Sequence, residues 1–246
     1  MNFVRDSMWS VNTAFTNSLV PAQIGVVTVA RLNGFTLIPA MGNPANTFMN
    51  RSNLQQSTNI KAFRNAVGAD IVITLVGTQT NLGTCGVAYI QSTGCGGNAS
   101  GCGPAPTFSE WSYILESVQC SAIDITAHEV GHVLGAEHNM NQTSTLPPDA
   151  SFPYSYGYGV PSTTTGFETA MTQEYYFTPS IYPVRLLQFS NPNLSYLGQP
   201  TGVIGSEYNA LTLTNLAPIT SAFRTRPNLI FANGFDQFDA CSGVNF

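Results

Sequence analysis

The chain has 246 residues, 43% of them hydrophobic and only 9% charged, with Lys and Arg totalling 8 and a net charge of −5. That length can bury a core as one large domain or two small lobes, and ordinary apolar content with a small net charge excludes a disordered acidic chain. So few cations leave no electrostatic footprint for nucleic acid, and no apolar run approaches the ~20 residues that span a bilayer.

Residues 3–18 place Phe3, Val4, Met8, Val11, Ala14 and Phe15 at helical spacing and stop before Pro21, which predicts a helix. Residues 24–32 are rich in β-branched side chains and predict a buried strand. A second helix is expected over 52–67, with Ser52 as its N-cap and Gly68 as its stop. A strand follows over 69–76, then a Gly- and Cys-rich stretch over 83–106 that contains a strand-like piece at 86–90. Residues 110–117 predict another strand, and 121–134 a helix stopped by Gly135. From 139 to 220 Pro, Gly, Tyr and Thr abound and periodicity fades, apart from one late helix near 209–216. Strands alternating with helices predict an α/β (α+β) domain with a mixed, mostly parallel twisted sheet, followed by an irregular lobe. The expected boundaries are a domain over 1–225, its lobes meeting near 138, and a tail over 226–246.

Cys85, Cys95, Cys102 and Cys120 share one segment, and Cys241 stands apart. No pair has CxxC spacing, so the reading is two disulfides and one leftover thiol rather than a zinc ribbon. Cys85–Cys120 would tie the strand-like piece to the start of the following helix, and Cys95–Cys102 would close the Gly-rich loop. Disulfides point to an oxidising compartment. Residues 1–10 carry Arg5 and Asp6 and no apolar core, so they are not read as a signal peptide. Asn-x-Ser/Thr sequons occur at Asn50, Asn98, Asn141 and Asn193.

The chain's 3 histidines are His128, His132 and His138, in the run His-Glu-Val-Gly-His-Val-Leu-Gly-Ala-Glu-His. Residues i and i+4 share one helix face, so His128 and His132 can hold one ion between them. Gly135 can take a left-handed conformation and end the helix, and the turn brings His138 back as a third ligand. Three protein ligands leave one position for water, the pattern of a catalytic rather than a structural zinc site. Glu129, beside the first ligand, is placed to act on that water as general base without binding the metal. The competing reading of these residues is a helix with two solvated histidines and a third in a loop.

The extended zinc motif resembles that of the metzincin metallopeptidases. Thr169-Ala170-Met171-Thr172 is similar to the methionine turn of that clan, which implies that Met171 lies beneath the zinc. Gln188-Phe189-Ser190-Asn191-Pro192 resembles the FSNP segment of reprolysin (adamalysin)-like and related bacterial secreted metzincins, and Cys85-Gly86-Val87-Ala88-Tyr89-Ile90 resembles their edge strand. The resemblance implies that Gly86, Val87 and Ala88 bind an extended peptide by strand addition. Asn139 stands where many reprolysins have Asp. Gln173 stands where the astacin and serralysin branches have a metal-reaching Tyr. The family is expected to have a strand before its first helix, whereas here the chain opens with that helix, so either that strand lies in removed sequence or this domain has a smaller sheet. Arg185 falls in the region expected to wall the specificity pocket, where it either favours an acidic substrate side chain or ties down the loop. Glu116, Asp124, Glu137 and Glu168 are read as solvated or capping groups rather than as supports of the metal or as a calcium site, and calcium has no support. Residues 228–235 resemble a C-terminal sequence of exported proteins in some Gram-negative bacteria.

Together these features imply a secreted or periplasmic, monomeric endopeptidase with one catalytic Zn2+ and protein or peptide substrates. A non-catalytic zinc-bearing binding or adhesion domain is the alternative, and the intact Glu129 argues against it. A structural secreted domain with an accidental motif is a third reading, which stoichiometric zinc would remove.

Overall fold

The computed structural model describes residues 3–32, 44–77, 84–91, 108–118, 120, 124–140, 150–162, 164–173 and 183–225. Helix α1 (Phe3–Asn17) buries Val11, Ala14 and Phe15 together with Ser7 and Ser10. The segment after it corrects one expectation: residues 24–32 form no strand and are only partly buried. The Asn12 side chain takes both backbone groups of Ile24, donating to its carbonyl at 3.0 Å and accepting from its N–H at 2.8 Å. A residue clasped in this way has nothing left for a ladder, whatever its β-propensity.

The helix expected over 52–67 is two helices, α2 (Pro44–Gln56) and α3 (Thr58–Val67). Ser57 is extended (φ −64°, ψ 117°) and caps α3, its side chain accepting from the Ile60 N–H, a bond that satisfies one of the orphan donors of a helix start. Ser52 is therefore not a cap; it lies inside α2 and its hydroxyl meets the Tyr89 hydroxyl at 2.9 Å. Gly68 stops α3 as expected, at φ 67° with its N–H on the carbonyls of Arg64 and Asn65.

Strands β1 (Val72–Val76), β2 (Gly86–Ala88) and β3 (Tyr113–Ser117) form a mixed sheet in the order β1-β3-β2. β1 pairs with β3 in parallel, and β2 pairs with β3 antiparallel with Gly86 opposite Glu116. The alternation of a strand explains the two apolar clusters on either face of β3. Ile114 packs with Val11, Phe15, Val130 and Met171, whereas Tyr113 and Leu115 pack with Leu54, Ile60 and Val87. A disulfide joins Cys85 to Cys120 beside β2. Cys95, Cys102, Cys241, two of the sequons (Asn98, Asn141) and the tail lie outside the described residues.

Helix α4 (Ile125–Val133) follows and packs against both α1 and the sheet. Beyond it the elements are short. β4 (Glu137–Asn139) pairs in parallel with β5 (Tyr156–Gly157). β7 (Phe167–Glu168) lies between β6 (Gly159–Val160) and β8 (Val184–Arg185). β9 (Asn191–Tyr196) and β10 (Gln199–Thr201) make a hairpin through Leu197 and Gly198, both at positive φ, the conformation a tight hairpin turn requires. Helix α5 (Asn209–Thr220) closes the described chain. No helix among the described residues is long and apolar enough to cross a membrane.

Candidate metal centre

α4 carries His128, Glu129 and His132, with every residue from Thr126 to Val133 buried. A helix this enclosed must lie close to its neighbours, and Gly131 makes that possible: a Cβ there would stand 2.5 Å from Met171 Sδ and 2.9 Å from a Phe189 ring carbon. Met171 is itself fully buried against this face. The helix ends at Leu134. Gly135 takes φ 84°, its N–H on the His132 carbonyl, and a side chain there would strike Leu216 at 2.5 Å and the Gln91 carbonyl at 2.8 Å. The turn carries the chain into β4 and returns His138 to the two helical imidazoles.

The three Nε2 atoms lie 3.1 Å from one another. His128 Nδ1 is 2.7 Å from the Ala170 carbonyl and His132 Nδ1 is 2.9 Å from the Ala136 carbonyl. A carbonyl only accepts, so each of these rings keeps its proton on Nδ1 and offers a bare lone pair at Nε2. His138 Nδ1 faces Glu137 Oε1 at 3.2 Å, the same arrangement with a carboxylate as acceptor. Burial lowers the His128 pKa to about 4; burial and the neighbouring rings hold His132 and His138 well below the usual imidazole range. Three neutral rings with converging lone pairs and no proton between them repel unless a cation sits among them. The donor set is all imidazole nitrogen, which suits zinc, and these are the residues whose ligand atoms cluster as a metal site.

Glu129 is buried against β2. A Cβ on Gly86 would meet Glu129 Oε1 at 2.6 Å, so glycine at this point of the edge strand is what admits the carboxylate. Its Oε2 has no hydrogen-bond partner among the described residues. Burial, then the nearby Glu116 carboxylate, push its pKa well above the carboxylate range, with Arg51 opposing them. Glu116 is fully enclosed on β3, accepts from Thr126 Oγ1 at 3.1 Å, and is pushed by burial up to about 7. Arg51 lies 3.5 Å over the Tyr89 ring and donates to the Ala88 carbonyl at 2.5 Å, bracing β2 from inside.

The four acidic residues read as solvated or capping are all buried: Glu116, Asp124, Glu137 and Glu168 are at most 5% exposed. Asp124 precedes α4 but makes no side-chain cap bond. It pairs instead with Arg185 Nε, while Glu168 Oε1 meets Arg185 Nη1 at 2.8 Å. Burial lowers the Arg185 pKa, but the two carboxylates outweigh it and hold the group above its ordinary value. Arg185 also donates to the Thr172 and Ala170 carbonyls at 3.3 Å, and Ala170 is the carbonyl that orients His128. Asn50, the first sequon, is fully buried, whereas Asn193 is exposed. Sequence reasoning missed Ala136 and Ala170; it allowed that Arg185 ties down the loop, but not that Asp124 and Glu168 are what hold it. The first two act through backbone carbonyls, which no side-chain pattern reveals.

A helix bearing two imidazoles and a glycine turn returning a third, beside a buried carboxylate, define a metallohydrolase-type centre at the edge of a small mixed sheet. The chain belongs to the reprolysin-like metallopeptidases of family M12B, whose family model matches residues 3–139. It is 33% identical over 168 residues to the peptidyl-Asp metalloendopeptidase of Stenotrophomonas maltophilia strain K279a, covering 67% of this chain and 34% of that one. The protein of that name from Xanthomonas campestris pv. campestris is 37% identical over 98 residues, 40% of this chain and 21% of that one. The chain thus spans about a third or less of the length of these curated relatives. A solved chain titled as the structure of a chaperone–substrate complex shares the fold, with a TM-score of 0.58 at 17% identity over 90% of this chain and 31% of that one.

Proposed function

We propose that this chain is the catalytic part of a secreted zinc endopeptidase, with Glu129 as general base and His128, His132 and His138 as the three protein ligands. The observation that carries the reading is the fixing of two Nδ1 protons on the carbonyls of Ala170 and Ala136, which commits the Nε2 lone pairs to one point. Bound zinc supplies Lewis acidity and an activated water. Glu129 takes the proton of that water and later delivers it to the leaving amine; its enclosed Oε2, which has no hydrogen-bond partner among the described residues, supports proton uptake. Gly86, Val87 and Ala88 offer the outer edge of β2 to an extended peptide, since β3 occupies the other edge.

Met171 fills the floor behind Gly131 and limits tilting of the helix that bears two ligands. Arg185, held by Asp124 and Glu168, fastens the loop to α4 rather than offering its charge to a substrate. The name of the relatives supports peptide bonds at aspartyl residues as the target. The Cys85–Cys120 disulfide and the low charge support an extracellular location. A casein zymogram with and without chelator, together with zinc content of the same sample, tests the reading. Stoichiometric zinc with chelator-sensitive clearing is expected; zinc without clearing would leave a binding domain.

A further inference from the structure

Gln91 is fully buried just past the end of β2, and separate parts of the chain meet on it. Its backbone N–H donates to the His132 carbonyl at 3.1 Å. Its own carbonyl accepts from the Ser151 hydroxyl and is one of the groups that leave no room for a side chain at Gly135. Its side-chain Oε1 accepts from Thr220 Oγ1 at 2.9 Å, at the end of α5 and 129 residues away. The continuation of β2, the last turn of α4, the segment at Ser151 and α5 are thereby tied to one residue. An amide taken out of water costs free energy unless it is bonded, and an apolar side chain would fill the same space without that cost. What the amide adds here is the bond to Thr220.

The last carbonyls of a helix have no partner within it. At the end of α4 the Gly131 carbonyl is met by the N–H groups of Leu134 and Ala136, which belong to the turn itself. The His132 carbonyl takes Gly135 at 2.8 Å and, from far along the chain, Gln91. Ala136 orients the His132 ring at its Nδ1, but the ring still moves with the backbone that carries it. The anchor on that backbone is the N–H of residue 91, whose place is fixed by its side chain on Thr220. We propose that Gln91 is a positioning residue for His132, and that its bond to Thr220 makes the seating of α5 part of the rigidity of the metal centre. Without that bond the protein still offers three imidazoles, but the His132 lone pair spends less time where the other two converge, so an ion held there leaves sooner. The inference rests on the reading of His132 as a ligand in a zinc endopeptidase.

The test follows zinc release to an excess of chelator, and hydrogen exchange of the residue 91 amide, in the zinc-loaded protein. Gln91→Met keeps the shape and removes the acceptor; Thr220→Val cuts the same bond from the other side and serves if the first fails to fold. Loss of a group that orients a ligand costs about 10–100-fold in metal affinity, so both variants should release zinc about 10–100-fold faster, with faster exchange at residue 91. The double variant should release it no faster than either single one, because the two residues share one bond. Thr220→Ser keeps the hydroxyl and should match the wild type. Thr212→Val removes another buried hydroxyl of α5, bonded to Ser155 at 2.7 Å, and should lower stability without hastening zinc release. Release at the wild-type rate in folded Thr220→Val, or equally fast release in Thr212→Val, would overturn the positioning role. The expected pattern of release in a protein without peptidase activity would overturn the peptidase reading alone, and a wild type that binds no zinc would overturn both.

Discussion

The two sides of the histidine cluster are held by different physics. On the sheet side, α4 rests on β3 and α1 through apolar side chains, with Ile114, Val11 and Val130 no more than 1% exposed. On the other side, short strands are fastened by single hydroxyls and amides. Ser190 Oγ donates to the Tyr156 carbonyl and accepts from the Asn209 N–H; Asn191 Nδ2 donates to the Ser18 carbonyl; Thr169 and Thr172 both donate to the Tyr158 carbonyl. The charges divide likewise. Asp124 and Glu168 share Arg185, whereas Glu116 accepts only from Thr126 among the bonds described for its side chain. A regular ladder tolerates many apolar sequences, but an irregular lobe needs a particular polar atom at each fastening point, because buried backbone groups without a ladder must find partners one at a time.

The largest effect should come from the residue on which the sheet side alone converges. Glu129→Ala removes the base while leaving the three imidazoles and their carbonyl partners in place, so peptide cleavage should fall by about 10²–10⁴-fold. Zinc should remain stoichiometric, read on the same sample. Cleavage near the wild-type rate with zinc bound would remove Glu129 from the mechanism.

On the opposite side, Arg185→Gln strands two buried carboxylates. Breaking a buried pair from one partner costs about 3–5 kcal/mol, so the urea midpoint should drop sharply and His128 should lose orientation through Ala170. A variant of wild-type stability with an altered cleavage-site preference would show instead that Arg185 meets the substrate.

The pH dependence should separate the two sides as well. Glu116 has its pKa raised from 4.5 to about 7 by burial, so the folded state holds a proton that the unfolded state has lost. Its favourable contribution is complete below about pH 4.5 and is lost as pH rises through about 7, an order of magnitude of about 3 kcal/mol. Glu116→Gln removes that loss, so the stability of the variant relative to wild type should rise between pH 5 and pH 8. A difference independent of pH would show that Glu116 is ionised throughout.

The smallest effect should be at Met171. Met171→Leu conserves volume in the packed floor behind Gly131, and such exchanges usually cost under ~1.5 kcal/mol. Zinc retention and cleavage should be close to wild type; loss of zinc with the fold intact would mean that the sulfur has a role beyond filling space.

The metal motif was legible in one dimension because each of its parts is local. The i, i+4 spacing of His128 and His132 fixes a shared face, and Gly135 fixes the end of the helix through a backbone angle that glycine reaches at little cost. The stop at Gly68 was legible for the same reason. The expected strand over 24–32 was not, because a strand exists only with a partner, and Asn12, twelve residues earlier, had already taken the backbone of Ile24. The acidic residues were misread as surface groups for a related reason: Asp124 meets Arg185 across 61 residues and Glu168 meets it across 17, so their burial depends on how the two halves close on each other. Composition, the histidine spacing and the glycine stops determined by themselves which residues could gather around an ion, since helix periodicity and backbone conformation act over a few residues. Only the tertiary structure decided which carbonyls orient the rings, which carboxylates find a cation and that Thr220 reaches Gln91, because those bonds join atoms far apart along the chain and form only when the fold brings them within about 3 Å.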